Sequence, residues 1–536
     1  MKRRNHHLHF GNENAESDQL LIPCQVRKQN PEEYKPILIG RWGVGKTALL
    51  LIQNQEQSKL LKNLDPEYER IWYLSESSLD IFALARMKNQ HEDEPDIFIK
   101  SLEEIWKSEI CRIYTLILAR ASKLYRNNQG EHWQSIRRIA RTNTKLLKSI
   151  WHQVPEVLDI LVHSKAGSFS EVRDSVNVLV RDTTYQNIIR CLRDIDEDEY
   201  LPSIVVEPIE TPTSALEKHK GLAQYLIIAL LNAFHKYFSP DDRNFNVRIS
   251  IPWHRYVVKE TDFPQKLYQH KGSVEWSKEK LKEFISKRIE WEFRRVGRRY
   301  SIPTNKSAWN ILFDDKVENG WCHPVVAEDS FDYFLRHTHY RARDILRLAR
   351  ETLIEAAKQM RMDVDEVLKT ERISAKIITS TFHKVGQPIT KQLIEEGNRR
   401  FPGLAKVTDR LSGLPLPFTT DELKKRLKPL DIPFNDAIHM LWESGILGVM
   451  LEPNSDKASR RLALGFTERG KRVYTNKLNQ RHEIWTWFEH NHEGTASEIL
   501  SKLTQMNCGK FGLVLHPKTF ELFFPNPAEL HCPIGC

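Results

Sequence analysis

The chain has 536 residues, of which 40% are hydrophobic and 28% charged, with Lys+Arg 80 against Asp+Glu 71 and a net charge of +9. That is enough apolar material for about two to four packed domains, and the basic surplus permits nucleic-acid contact without requiring it. Membrane-span and disulfide-framework readings are excluded: the longest apolar run, Leu222 to Phe234, is broken by Gln224, Tyr225 and Asn232, and the seven cysteines are scattered.

Residues 1–20 are polar and rich in His and Asn, and are expected to be disordered. They carry Lys2, Arg3 and Arg4 but no apolar signal core, so the expected location is cytoplasmic. Pro36 to Ile39 is a short apolar run suited to a buried strand, and Ala48 to Ile52 starts a strong apolar helix. Between them Gly40, Arg41, Trp42, Gly43, Val44, Gly45, Lys46 and Thr47 fit G-x-x-x-x-G-K-[ST]. Strand, glycine loop, helix is the order in which such a loop cradles phosphate. Glycines let backbone N–H groups turn inward, and the helix N-terminus adds positive potential. Lys46 is placed to reach β- and γ-phosphates and Thr47 to ligate Mg²⁺, with Ala48 closing the nucleotide-binding set.

A second strand is expected at Arg70 to Leu74, with the exit loop Ser75 to Ser78 after it. From about Asp96 to Arg193 apolar residues recur at helical spacing, as in Leu102, Ile105, Trp106, Ile110, Ile113 and Ile117. This is read as a helical insertion between core strands. Its basic run, Arg137, Arg138, Arg141, Lys145 and Lys148, is read as a solvated face. A third strand, Ser203 to Val206, runs into Glu207 and Glu210. A helix at Gly221 to Phe238 and a strand at Asn246 to Ile251 follow. Strands alternating with helices predict a parallel sheet covered on both faces.

Hydrolysis needs more than a phosphate loop. One carboxylate must serve the metal and one must polarise water. Glu207 and Glu210 end an apolar strand and are the candidate acids, with Thr47 and Glu207 as the metal ligands. The bland alternative is that both acids solvate a loop. His254 or Arg255, after the strand end at Pro252, is a candidate γ-phosphate sensor.

Charged helices are expected at Trp276 to Arg299 and Asp329 to Gln359, with guanidinium groups of Arg341 and Arg343 at a helix start after a turn. Helices continue from Ala375 to Leu404. Phe418 to Leu423 looks like a capped helix start, Asn435 to Glu443 a second helix ended by Gly445, and Ile446 to Leu451 with Arg461 to Phe466 a two-stranded wing around Pro453 to Ser459. That order is a winged helix. Its second helix offers Asn435, His439 and Glu443 but no Lys or Arg, so base reading is not evident. Lys424, Lys425, Arg426, Lys457, Arg460 and Arg461 suit phosphate contact. Phe511 to Leu515 is a tail strand and Pro517 to Phe524 a short helix. Cys532 and Cys536, beside His531, read as free thiols rather than a metal site.

Gly40 to Thr47, the Val205-Val206-Glu207-Pro208-Ile209-Glu210 strand, the Ile249-Ser250-Ile251-Pro252 strand end, Glu275-Trp276-Ser277 with Lys287-Arg288-Ile289, and His337-Thr338 with Arg341-Ala342-Arg343-Asp344 resemble prokaryotic AAA+/STAND-type P-loop ATPases. The resemblance covers residues 30–470. It implies an α/β P-loop NTPase core followed by a helical lid and a winged helix, a layout shared by origin-recognition ATPases. It also implies ATP and Mg²⁺ as cofactors, and Arg343 as the lid (sensor 2) arginine. Ala342 stands where the family often has Pro, and Glu207 where it has Asp. The expected domains are residues 1–20, a core at 21–265 with the insertion at 96–195, a lid at 266–405, a winged helix at 406–475 and an α/β extension at 476–536. The function implied is an ATP-driven switch in signalling or anti-phage defence, self-associating through its core and meeting a protein partner through the winged helix. The alternative is an ATPase that holds duplex DNA there. A small-molecule kinase is disfavoured, because such chains need no winged helix.

Overall fold

A computed structural model of the chain describes residues 10, 35–40, 44–64, 71–75, 79–142, 151, 182–196, 199, 201–208, 221–239, 245–252, 261–274, 276–299, 307–319, 326–339, 341–414, 418–451, 471–475, 481–485, 511–516 and 519–523. They fall into two compact units, one of residues 28–42 and 46–274, the other of residues 1–27, 43–45 and 275–536.

The first unit is built on a parallel sheet. Its strands are β1 (Ile37–Gly40), β2 (Tyr73–Ser75), β3 (Ser203–Glu207), β4 (Asn246–Pro252) and β5 (Lys271–Ser273), in the order β2-β3-β4-β1-β5. Each of the four neighbouring pairs is parallel. Parallel neighbours demand crossovers, and helices supply them. Helices α1 (Lys46–Gln53) and α2 (Gln55–Leu64) lead from β1 to β2. Then α3 (Ile81–Gln90), α4 (Pro95–Ala121), α5 (Glu131–Thr142) and α6 (Asp182–Arg193) lead to β3. The described part of the stretch expected as a helical insertion is thus helical, and residues 143–150 and 152–181 of it lie outside the described residues. Helix α7 (Leu222–Ala233), extended by a π turn at Phe234–Phe238, leads to β4, and α8 (Pro264–Gln269) to β5.

Ile37, Ile39, Ile204, Val205, Val206, Ile249 and Ile251 are buried, as β-branched residues of a sheet covered on both faces should be. The Leu222 run is a buried helix rather than a membrane span. It packs on α4 through Trp106, whose Nε1 donates to Leu226 O at 3.1 Å, and through Phe98 against Tyr225 at 5.8 Å. Arg138 and Arg141 of α5 are exposed, as expected of a solvated face, but Arg137 is half-buried and donates from Nη1 to Asn128 O at 3.2 Å, while Lys145 and Lys148 lie outside the described residues. Among the described residues no helix is long and apolar enough to cross a membrane.

The second unit is helical before it is mixed. Its elements are α9 (Lys278–Arg295), α10 (Ala308–Leu312), an antiparallel ribbon of β6 (Lys316–Asn319) and β7 (Val326–Asp329), α11 (Ser330–Arg336), α12 (Ala342–Met360), α13 (Val364–Thr370), α14 (Ala375–Arg400) and α15 (Leu404–Thr408). The ribbon was not expected. The stretch from Asp329 to Gln359 is two helices, separated where Thr338 Oγ1 donates to Leu335 O at 2.8 Å and His339 N to Asp344 Oδ2 at 3.2 Å. Asp329 caps α11 by accepting from Phe331 N at 2.9 Å.

Helix α16 (Thr420–Leu427) opens with a Thr419/Glu422 capping box, and α17 (Phe434–Glu443) is followed by Gly445 at φ 77°. The strands β8 (Leu447–Leu451), β9 (Lys471–Thr475), β10 (Arg481–Trp485) and β11 (Phe511–Leu515) form an antiparallel sheet in the order β11-β8-β10-β9. The tail strand and the short helix α18 (Phe520–Phe523) are both present. Leu423, Ile438, Leu441, Trp442, Leu447 and Leu513 close one core under these helices and strands. The expected wing segments Pro453 to Ser459 and Arg461 to Phe466 lie outside the described residues.

Candidate functional site

The carboxyl ends of the parallel strands gather four of the residues singled out in the sequence, Gly40, Lys46, Thr47 and Glu207. The connections from β1 run to the far edge at β2, return to β4, and then pass over β1 to β5. In open α/β sheets such a reversal leaves a crevice at the strand ends, where ligands bind. Gly40 ends β1 opposite Pro252 of β4, and Ser75 of β2 faces Glu207 of β3.

Glu207 is the centre of a cluster. It is 3% exposed. Thr47 Oγ1 lies 3.0 Å from its Oε1 and 2.8 Å from its Oε2. Tyr73 OH donates to Oε2 at 2.7 Å, and Ser250 Oγ to Oε1 at 2.9 Å. Three hydroxyls from β2, β4 and the first turn of α1 therefore hold one buried carboxylate. A buried carboxylate is tolerated only when its lone pairs are satisfied, and these donors satisfy it.

Lys46 is buried, and its Nζ donates to Gly40 O at 3.0 Å. That bond curls the lysine back over the loop that its own helix follows. Gly45 sits at φ 92°, the left-handed region that favours glycine and lets the chain turn into α1. Lys46, Thr47 and Ala48 begin that helix. A hydroxyl and a carboxylate within 3.0 Å of each other form a hard-oxygen donor set suited to Mg²⁺, which takes one or two protein oxygens alongside phosphate.

The structure thus brings together Gly40, Lys46, Thr47 and Glu207. Arg41, Trp42, Gly43, Glu210, His254 and Arg255 lie outside the described residues. Val44, Gly45 and Arg343 belong to the second unit. In it Trp276 Nε1 donates to Val44 O at 2.6 Å, and Arg343 lies on the first turn of α12. Among the described residues no cluster of three or more His, Cys, Asp or Glu could hold a metal by itself.

Tyr73 and Ser250 were given no role from the sequence. Both stood only as positions within expected strands, Arg70 to Leu74 and Asn246 to Ile251. The signal that finds them is register: Tyr73 lies opposite Val205, two places before Glu207, and Ser250 follows Ile249, the partner of Val206.

No known protein family, no curated protein and no solved structure matches this chain.

Proposed function

We propose that the chain binds and hydrolyses ATP as a molecular switch of the AAA+/STAND type. The observation that carries this reading is the contact of Thr47 with Glu207, at the end of a parallel strand and beside a glycine loop. Backbone N–H groups of the loop and the N-terminus of α1 receive the phosphates, and Lys46 exchanges Gly40 O for phosphate oxygen. Thr47 and Glu207 would hold Mg²⁺ there. When bound, that ion neutralises charge developing on the phosphate oxygens. Tyr73 and Ser250 fix the rotamer of Glu207. Glu207 or Glu210 orients the attacking water and takes its proton, and Arg343 serves the lid of the switch. The helices of residues 278–400 act as the lid, and α16, α17 and the strands after them as a winged helix that reports nucleotide state to a protein partner.

The testing experiment is ATP turnover and ATP binding in Lys46→Ala and Glu207→Gln beside the unaltered chain. Lys46→Ala should lose both, and Glu207→Gln should keep binding and lose turnover. Undiminished turnover in Lys46→Ala sinks the reading. A second reading, an ATPase that holds duplex DNA, draws support from the exposed Lys424, Lys425 and Lys428 of the α16 segment. Phosphate contacts predict a steep loss of duplex binding with salt, and a flat salt series excludes them.

A further inference from the structure

The turn between α16 and α17 shapes a cavity of about 520 Å³ on the second unit. Leu427 ends α16 buried, and three apolar residues then alternate with others along the chain. Leu430, Ile432 and Phe434 are half-buried: they rest on the core under α16 and α17 and line the cavity with the rest of their surface. Leu430 N donates to Leu427 O at 2.9 Å and Pro433 precedes α17, so the turn that presents these side chains is fixed at both ends.

The basic residues of this segment do not share one task. Arg426 Nη2 donates to Ser412 O at 3.2 Å and to Gly413 O at 3.3 Å, so it braces a neighbouring loop. Lys424, Lys425 and Lys428 are exposed and rim the cavity. A helix C-terminus favours cations, which accounts for lysines at this end of α16. It does not account for three of them standing together over apolar side chains. Lys424 and Lys428 are four places apart, where like charges repel, and among the described residues none of the three pairs with a carboxylate. Glu422 is occupied at the helix start, where Thr419 N donates to its Oε2 at 2.7 Å. Asp421 is the one acid among the described residues of the rim. Lys424 Nζ stands 6.0 Å from the centroid of the Phe434 ring, a cation held above the apolar floor.

We propose that this groove seats a protein partner, which enters it with a short acidic segment carrying bulky apolar side chains. Leu or Phe side chains of that segment cover Leu430, Ile432 and Phe434, and its Asp or Glu carboxylates face Lys424, Lys425 and Lys428. Charge complementarity sets the sign of the occupant, and the apolar floor sets its class. The phosphates of duplex DNA would suit the lysines but leave three apolar side chains uncovered and meet Asp421. The volume lies within the range of about 300–1,000 Å³ usual for sites that enclose a ligand. The inference deepens the proposed switch by naming the chemistry of its partner, and rests on that proposal only in calling the occupant the partner of a switch.

The test is fluorescence anisotropy of the full chain, without nucleotide, against a panel of labelled synthetic peptides of about twelve residues that interleave Asp or Glu with Leu or Phe. At least one peptide should bind saturably. Its affinity should fall at least roughly tenfold in the Lys425→Glu/Lys428→Glu chain, and by a similar factor when its own Leu and Phe are replaced by Ser. Should the altered chain fail to fold, the peptide with Asn and Gln in place of its acids takes over, with the same loss expected. No binding by any peptide, or binding indifferent to these charges, overturns the proposal. So does binding that survives the Ser replacements, because charge alone then suffices. Duplex DNA that binds with the same lysine dependence while no peptide does makes the groove a phosphate seat and overturns it. A particle mass of two chains that falls to one on lysine reversal puts a second copy there and likewise overturns it. Because nucleotide is left out, a chain that hydrolyses no ATP can still bear the proposal out, and an active ATPase can still overturn it.

Discussion

Thr47 and Glu207, 160 positions apart in sequence, meet with the hydroxyl 2.8 Å from one carboxylate oxygen and 3.0 Å from the other. Neither residue is held by this contact alone. Lys46, one position earlier, is anchored to Gly40, and Glu207 is gripped by Tyr73 and Ser250. In the proposed ATPase this geometry is prepared in advance of the phosphate, the condition for electrostatic catalysis without reorganisation.

Removing one of these grips should weaken turnover more than binding. A hydrogen bond to a charged group contributes about 1.5–3 kcal/mol, so Tyr73→Phe and Ser250→Ala should each slow ATP turnover roughly tenfold to a hundredfold. Paired measurements of turnover and nucleotide affinity check this. Wild-type turnover in both variants would show that Glu207 needs neither hydroxyl.

Gly45 at φ 92° gives a second expectation. An L side chain in that region costs about 1–2 kcal/mol, so Gly45→Ala should lower the thermal midpoint and loosen nucleotide binding together. An unchanged melting curve would mean that the loop relaxes freely.

These two sites differ in how far the sequence revealed them. The glycine loop stood out because the phosphate-loop pattern fixes residue types at fixed spacing, and Glu207 because an acid ending an apolar strand is conspicuous. Tyr73 and Ser250 were hidden, because their role depends on which strands lie side by side. The β6/β7 ribbon was hidden for another reason: Lys316 to Asn319 and Val326 to Asp329 are short and charged, without the alternation that marks a strand. The neighbours of β8 come from residues 481–485 and 511–515, and such distant pairing leaves no local trace. Phe10 lay in a stretch whose polarity argued for disorder, yet its ring is fully buried.

Cys191 of α6 should be chemically quiet. Burial, aided by the Asp194 carboxylate, pushes its thiol up to about 12. At pH 8 roughly one thiol in ten thousand is then the reactive thiolate. Iodoacetamide followed by peptide mass spectrometry should leave Cys191 unmodified in the native chain and label it in urea. Rapid native labelling would contradict the buried placement.

Glu355 links α12 to α14 through Lys384, and Gln359 Nε2 donates to it at 2.9 Å. Hydrogen bonds from Gln359 and Lys384 hold its carboxyl below the usual value. A carboxyl lowered on folding stabilises the fold above its unfolded value, near about 4.3, and loses that contribution as pH falls through the folded one. Glu355→Gln should therefore lower the melting temperature at pH 7 and leave it nearly unchanged at pH 3. An equal loss at both values would assign the effect to packing instead of charge.

The place of β1 in the sheet bears on how the chain is made. Ile37 pairs with Ile249 on one side and Lys271 on the other, so the strand that carries the glycine loop has no neighbour in the first half of the core to emerge. Its N–H and C=O groups wait, unpaired, until β4 and β5 have been synthesised. Closing so long a loop is slow, and an orphan apolar strand is prone to the wrong partners meanwhile. Among the described strands, the one that leads into the site is the first translated, and both of its neighbours come more than two hundred residues later.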